Sequence, residues 1–159
     1  MTQTPVDVIL RVNGQDYPIR VEPRRTLADA LRDDCGLTGT HLGCEHGVCG
    51  SCTVLVDGLT VRSCLMFAVQ GEGTEIRTVE GLADGENLSA LQNAFWEQHG
   101  LQCGFCTPGF LMLATGLLEQ EPDPSDERLI EVLSSNLCRC TGYQNIIAAV
   151  RSAADIMRT

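Results

Sequence analysis

Positive charge is scarce in this chain of 159 residues: Lys and Arg total 11 against 21 Asp and Glu, a formal charge of −10. So acidic a surface lacks the basic footprint that phosphate backbones require, which excludes nucleic acid as a partner. No apolar run approaches the roughly 20 residues of a membrane span, so none is expected. The N-terminus, MTQTPVDVILRVNG, has no basic segment followed by a long apolar core. No secretory signal is therefore expected, and the chain is assigned to the cytoplasm. Nucleotide-binding fingerprints are missing too. Neither Gly71-Glu72-Gly73 nor Gly47 to Gly50 makes a G-x-G-x-x-G turn after a strand, so no flavin site is expected here. Aromatic residues are only 4 % of the chain, which leaves few large side chains for a core.

Cysteine, by contrast, is abundant: there are nine. A reducing cytoplasm does not keep structural disulfides, and an odd number does not suit a closed disulfide set, so metal or redox chemistry is expected. A metal also compensates a small core. The composition, 43 % hydrophobic, is that of a globular protein.

The fold class expected is α+β, with the chain divided near Glu80 to Glu86 into residues 1–80 and 81–159. The first part reads as strands with one helix. Val6 to Val12 is a strand, Asn13-Gly14 a hairpin turn, and Tyr17 to Val21 the return. Thr26 with Asp29 resembles a capping box for a helix whose apolar face is Leu27, Ala30 and Leu31, stopped near Cys35-Gly36. Thr53 to Val56, a turn at Asp57-Gly58, and Thr60 to Cys64 make a second hairpin, and Thr74 to Val79 a further strand. The second part changes to helical period. One helix carries Leu88, Leu91 and Phe95. A second, after Pro108, carries Phe110, Ala114, Leu117 and Leu118. Ser125 caps a third with Leu129, Val132, Leu133 and Leu137, and a fourth carries Ile146, Ile147, Val150, Ala154 and Met157. Four such helices with short joins predict an antiparallel bundle.

Cys44-x4-Cys49-x2-Cys52 has the plant-type 2Fe–2S ferredoxin spacing. A tight loop must wrap a small anionic core with its amides pointing at sulfur, and Gly43, Gly47 and Gly50 supply the backbone freedom and close approach. The fourth ligand is Cys64 or Cys35. A hairpin centred on Gly58 puts Cys52 opposite Cys64 and favours Cys64. The competing reading is a four-cysteine zinc site. A Rieske centre would need a C-x-x-H pair besides Cys44-Glu45-His46, and none exists. His46 is read as a loop residue, and His41 and His99 as ordinary polar or packing residues.

Cys103-x2-Cys106 falls in the join between the first and second helices, and Cys138-x-Cys140 between the third and fourth. In an up-down-up-down bundle both joins lie at one end, so four thiols converge there. Spacing does not separate zinc from iron at this site. Arg139 either offsets thiolate charge, engages a partner or is a solvated charge. Cys35 is left as a small buried residue.

The segments GCEHGVCGSCTV at 43–54, RSC at 62–64, QCGFCTPGF at 102–110 and NLCRCTGYQNI at 136–146 resemble the small iron–sulfur subunit of the molybdenum hydroxylases, the xanthine oxidase family, including the form seen in carbon monoxide dehydrogenase. The resemblance covers nearly the whole chain. It implies a plant-ferredoxin-like β-grasp domain followed by a four-helix bundle. It implies two 2Fe–2S clusters, one on Cys44, Cys49, Cys52 and Cys64 and the other on Cys103, Cys106, Cys138 and Cys140, and so decides for iron. It further implies a large subunit with molybdopterin, in the cytosine dinucleotide form, a medium subunit with FAD, and a dimer of heterotrimers. Gln102 and Cys140 match positions that contact the pterin. The function implied is electron transfer, with no catalytic residue on this chain. A free-standing ferredoxin and a structural zinc protein are the competing classes. Co-purification with partners separates the first, a visible spectrum the second.

Overall fold

The computed structural model describes residues 4–158. Met1–Gln3 and Thr159, which fall in the expected domain ranges and, for Met1–Gln3, in the segment read for a leader, lie outside the described residues. Among the described residues five strands form one sheet in the order β2-β1-β5-β3-β4: β1 Val6–Val12, β2 Gln15–Val21, β3 Thr53–Val56, β4 Leu59–Arg62 and β5 Glu75–Arg77. β1 and β5 run parallel, and the other neighbours are antiparallel. Between β2 and β3 lies α1, Leu27–Asp29, which continues as a π-helical stretch over Ala30–Asp34. Thr26 caps it: the Thr26 hydroxyl oxygen accepts from the Asp29 amide at 3.1 Å. Leu27, Ala30 and Leu31 are fully buried against Val8, Leu10, Val12, Val54, Val56 and Ile76, alternate residues that put one face of the sheet toward the helix.

Four helices follow: α2 Ala90–Glu97, α3 Thr107–Gln120, α4 Asp126–Leu133 and α5 Gln144–Met157. They share a second core that includes Phe95, Phe110, Leu117, Leu129, Leu133, Ile146 and Val150. Ser89 begins α2 with a reciprocal cap to Gln92, and the Ser125 hydroxyl accepts from the Arg128 amide at 3.2 Å to begin α4. Two apolar residues placed on helices by periodicity lie outside them. Leu88 precedes the Ser89 cap and is 49 % exposed, and Leu137 follows the end of α4 and is 51 % exposed. The strand expected over Thr74 to Val79 is reduced to Glu75–Arg77. No helix of the described residues is long and apolar enough to cross a membrane.

The two cores are joined by α3, which is buried nearly all round. Gly109, Met112 and Gly116 share one face of it by spacing. A Cβ on Gly109 would lie 2.4 Å from the Gly50 carbonyl oxygen, and one on Gly116 would lie 2.7 Å from the Thr60 side chain. The helix thus rests directly on β3, β4 and the loop before them. The Arg77 guanidinium clamps Glu119 of α3 across the same junction at 2.8 Å and holds that carboxyl below its usual range. With both side chains a third or more exposed, the pair contributes about 1 kcal/mol or less. That contribution is present while Glu119 is ionised and is lost as pH falls through its lowered folded value.

Candidate metal centres

The first thiol group is built on the loop between α1 and β3. Gly47 and Gly50 take φ of +86° and +73°, and Glu45, a non-glycine, takes +55°. Gly43 contributes close approach instead: a Cβ there would lie 3.1 Å from Cys49 Sγ. These turns aim amides inward. The Cys49 amide donates to Cys44 Sγ at 3.4 Å. Hydrogen bonds from the Cys49 and His46 amides lower the Cys44 thiol to about 6. The loop is therefore shaped to receive negative charge on sulfur. His46 itself turns its Nδ1 onto the Cys44 carbonyl and braces the loop.

Cys64 joins this group by a route other than the expected one. The hairpin pairs Thr53 with Arg62 and Val56 with Leu59, so the residue opposite Cys52 is Ser63. Ser63 donates to the Cys52 carbonyl through its amide, at 3.2 Å, and its hydroxyl, at 2.7 Å. The turn uses two residues, Asp57 and Gly58, both with positive φ, and its axis falls between them rather than on Gly58. The expected return strand to Cys64 stops at Arg62, and a 3-10 turn over Ser63–Leu65 swings Cys64 back onto Cys52. Burial, then the hydrogen bond with Cys52, pushes the Cys64 thiol up to about 12. Cys44 is also among its electrostatic neighbours.

The second group sits where the helix joins meet. Cys140 Sγ is 3.5 Å from Cys103 Sγ. Cys106, the residue before α3, is hydrogen-bonded to Cys138, and burial followed by that bond raises its thiol to about 12. Burial works to raise the Cys138 thiol, yet donors from Thr141 and the Cys140 amide carry it below the ordinary value. The Thr141 hydroxyl lies 3.1 Å and its amide 3.4 Å from Cys138 Sγ. Tyr143, at φ +69°, braces the loop. Its hydroxyl accepts from the Cys138 amide at 3.0 Å and donates to the Asn136 carbonyl at 3.1 Å. Cys103 and Cys140 are exposed, as are the neighbouring Gln102 and Arg139.

All nine cysteines are free, and eight stand in these two groups. Cys35 packs on the sheet core beside α1. Burial, then Asp34, pushes its thiol up to about 11. Among the described residues no three His, Cys, Asp or Glu side chains form a group placed to hold one metal ion. The thiols stand instead in four pairs: Cys44 with Cys49, Cys52 with Cys64, Cys103 with Cys140, and Cys106 with Cys138. A tetrahedral zinc site needs four sulfurs at about 2.3 Å from one point, whereas a 2Fe–2S centre shares four thiolates between two irons. The paired donor sets and the amide-lined loop fit the latter.

Sequence reasoning missed the residues around the thiols: Thr141, Tyr143, Asn136 and Arg62. Only Thr141 carried a readable signal, a hydroxyl three residues after Cys138 in a tight loop. Thr141→Val removes its hydroxyl donor to Cys138 and keeps its shape. It should lower the reduction potential of the C-terminal centre by up to about 60 mV, a tenfold change in a one-electron equilibrium. A redox titration followed by EPR checks this, with the N-terminal centre as internal reference.

Residues 10–83 match a family described as 2Fe-2S iron-sulfur cluster binding domain, and residues 78–151 match a [2Fe-2S] binding domain. The nicotine 6-hydroxylase small subunit of Paenarthrobacter nicotinovorans is 61 % identical, over 93 % of this chain and 89 % of that one. The caffeine dehydrogenase subunit gamma of Pseudomonas sp. (strain CBB1) is 57 % identical, over 92 % and 90 %. Among solved structures, a chain of quinoline 2-oxidoreductase from Pseudomonas putida 86 matches with a TM-score of 0.94 and 52 % identity, over 98 % of both chains.

Proposed function

The chain belongs to the small iron–sulfur subunits of the molybdenum hydroxylases, and from that premise we propose how its residues serve as the electron-transfer subunit of such an oxidoreductase. Cys44, Cys49, Cys52 and Cys64 hold one 2Fe–2S cluster, and Cys103, Cys106, Cys138 and Cys140 hold the other. The observation that carries this is the separation of eight thiols into two groups of two pairs each, with Cys35 outside both. Each cluster, when bound, supplies one-electron redox chemistry. The chain's own part is to place, bury and hydrogen-bond the sulfurs: the Cys49 amide at Cys44 and Thr141 at Cys138 stabilise charge there, and burial at Cys64 and Cys106 keeps water away.

The C-terminal group faces a large subunit with molybdopterin in its cytosine dinucleotide form, and the N-terminal group faces a medium subunit with FAD. Exposure of Cys103, Cys140 and Gln102 at one pole supports the first assignment. The exposed apolar side chains of Val48, on the N-terminal loop, and Leu65, against Gly47, support the second, as a surface that a partner covers. The division into residues 1–80 and 81–159 is supported by the two separate cores. The assembly is a dimer of heterotrimers in the cytoplasm, a compartment in keeping with nine free thiols. The substrate class at the large subunit is an N-heteroaromatic compound, since nicotine, caffeine and quinoline name the similar proteins.

The test is Gln102→Ala in the assembled enzyme, because it spares all eight thiolates. Substrate should reduce both centres more slowly, while the two EPR signals of the dithionite-reduced protein stay nearly intact. Normal reduction of the N-terminal centre by substrate when the C-terminal centre is missing would reverse the order.

A further inference from the structure

The two thiol loops touch through their backbones. The Leu137 amide donates to the Cys49 carbonyl at 2.9 Å, and Leu137 is the residue before Cys138. One hydrogen bond therefore joins a cysteine of the N-terminal group to the neighbour of a cysteine of the C-terminal group. Every other link along that line is covalent. A second contact between the loops, His41 Nδ1 on the Phe105 carbonyl at 2.8 Å, makes a longer path, because the chain must run from His41 through Leu42 and Gly43 to reach Cys44. Tunnelling decays less steeply along covalent and hydrogen bonds than across a van der Waals gap, so the Leu137–Cys49 bond is the better-coupled connection.

Asn136 sets that bond. The residue is 1 % exposed, and its Nδ2 donates to the Gly50 carbonyl at 3.3 Å. Its Oδ1 is buried without a hydrogen-bond partner and sits where a Cβ on Gly50 would be, 1.9 Å away. An apolar residue of similar size would avoid that orphaned oxygen, so space-filling alone does not account for an amide here. On the other side of Asn136, Arg62 donates to the Ser135 carbonyl at 3.0 Å. Consecutive residues, Ser135, Asn136 and Leu137, are thus each tied to the N-terminal half.

We propose that Asn136 is a positioning residue for electron exchange between the two loops, holding the Leu137 N–H on the Cys49 carbonyl as the route. The inference rests on the ligand assignment given above. With both clusters bound, the exchange would carry one electron from the thiolates of Cys103, Cys106, Cys138 and Cys140 to those of Cys44, Cys49, Cys52 and Cys64, so that one centre is oxidised by one electron as the other is reduced by one. No bond to Cys49, Asn136 or Leu137 is made or broken, and no proton moves.

The experiment uses the full chain carrying both centres. A photoreductant injects one electron, and its redistribution between the centres is followed by absorbance and circular dichroism. EPR of the fully reduced protein reads the magnetic interaction between them. In Asn136→Ala the inter-centre rate should fall several-fold. The magnetic splitting should shrink, with iron content and both signals retained. Arg62→Met, which loosens Ser135 from outside the loop, should move both readouts the same way by less, and it decides the matter if Asn136→Ala does not fold. An unchanged rate and splitting in a variant with its full iron complement overturns the proposal. A wild-type chain with one signal only would instead overturn the ligand assignment, and the inference with it.

Discussion

Cys64→Ser should strip the N-terminal centre from the chain and leave the C-terminal one. Iron and acid-labile sulfide should fall from about four of each per chain to about two, as expected when one of two four-thiolate centres is lost. One of two EPR signals should disappear. Cys64 has no substitute. The 3-10 turn over Ser63–Leu65 delivers it alone onto Cys52, and a serine hydroxyl is a harder and far less acidic ligand than a thiol. Cys35→Ser should keep both centres and both signals. Cys35 packs against the sheet core where the Ala30–Asp34 stretch ends, with its amide bonded to the Ala30 carbonyl at 2.9 Å. Loss of the centre in Cys35→Ser with retention in Cys64→Ser would reverse the assignment.

The second large effect is expected at a residue with no chemistry. Glycine is a poorer helix former than alanine, so Gly109→Ala, in the first turn of α3, should favour the helix slightly if α3 were free. It is not free: the added Cβ would meet the Gly50 carbonyl oxygen at 2.4 Å and Ser51 Cα at 2.9 Å, both backbone. These atoms lie between Cys49 and Cys52 and cannot swing aside as a side chain does. Overpacking of this kind costs about 1–3 kcal/mol. Gly109→Ala should therefore lower the melting temperature and broaden or weaken the N-terminal EPR signal. Gly116→Ala provides the contrast. Its Cβ would meet the ends of the Leu55 and Thr60 side chains, which can turn, so the penalty should be smaller. Thermal denaturation of both variants with iron analysis checks the pair. Equal melting temperatures for Gly109→Ala and the parent would show that α3 and the loop can separate freely.

Much of the site was legible because its chemistry is local. The C-x4-C-x2-C run must form a loop around a small anionic core, and the glycines within it announce the positive φ that such a loop needs. Gly47 and Gly50 take those angles, while Glu45 takes one that no glycine marked. The placement of Cys103, Cys106, Cys138 and Cys140 in two helix joins was readable from apolar period and from Pro108 and Ser125, since caps and stops depend on neighbours in sequence.

The two thiol motifs, the turn at Asp57-Gly58, the caps at Thr26 and Ser125, and the change from strand to helix period can all be read along the chain. Each of these is written in residues a few positions apart. Tertiary structure alone decided the rest. The hairpin register depends on where the turn axis falls, and a shift of half a residue replaces Cys64 by Ser63 opposite Cys52. Leu137 fits the apolar period of α4, yet its amide is bound to the Cys49 carbonyl instead, in a partnership between distant segments. The seam of Gly109, Gly50, Asn136 and Arg62 brings residues far apart in the chain within contact. Periodicity reports only which face of an element is apolar. It carries no information on which distant backbone that face will meet, because that choice is made by packing the whole chain at once.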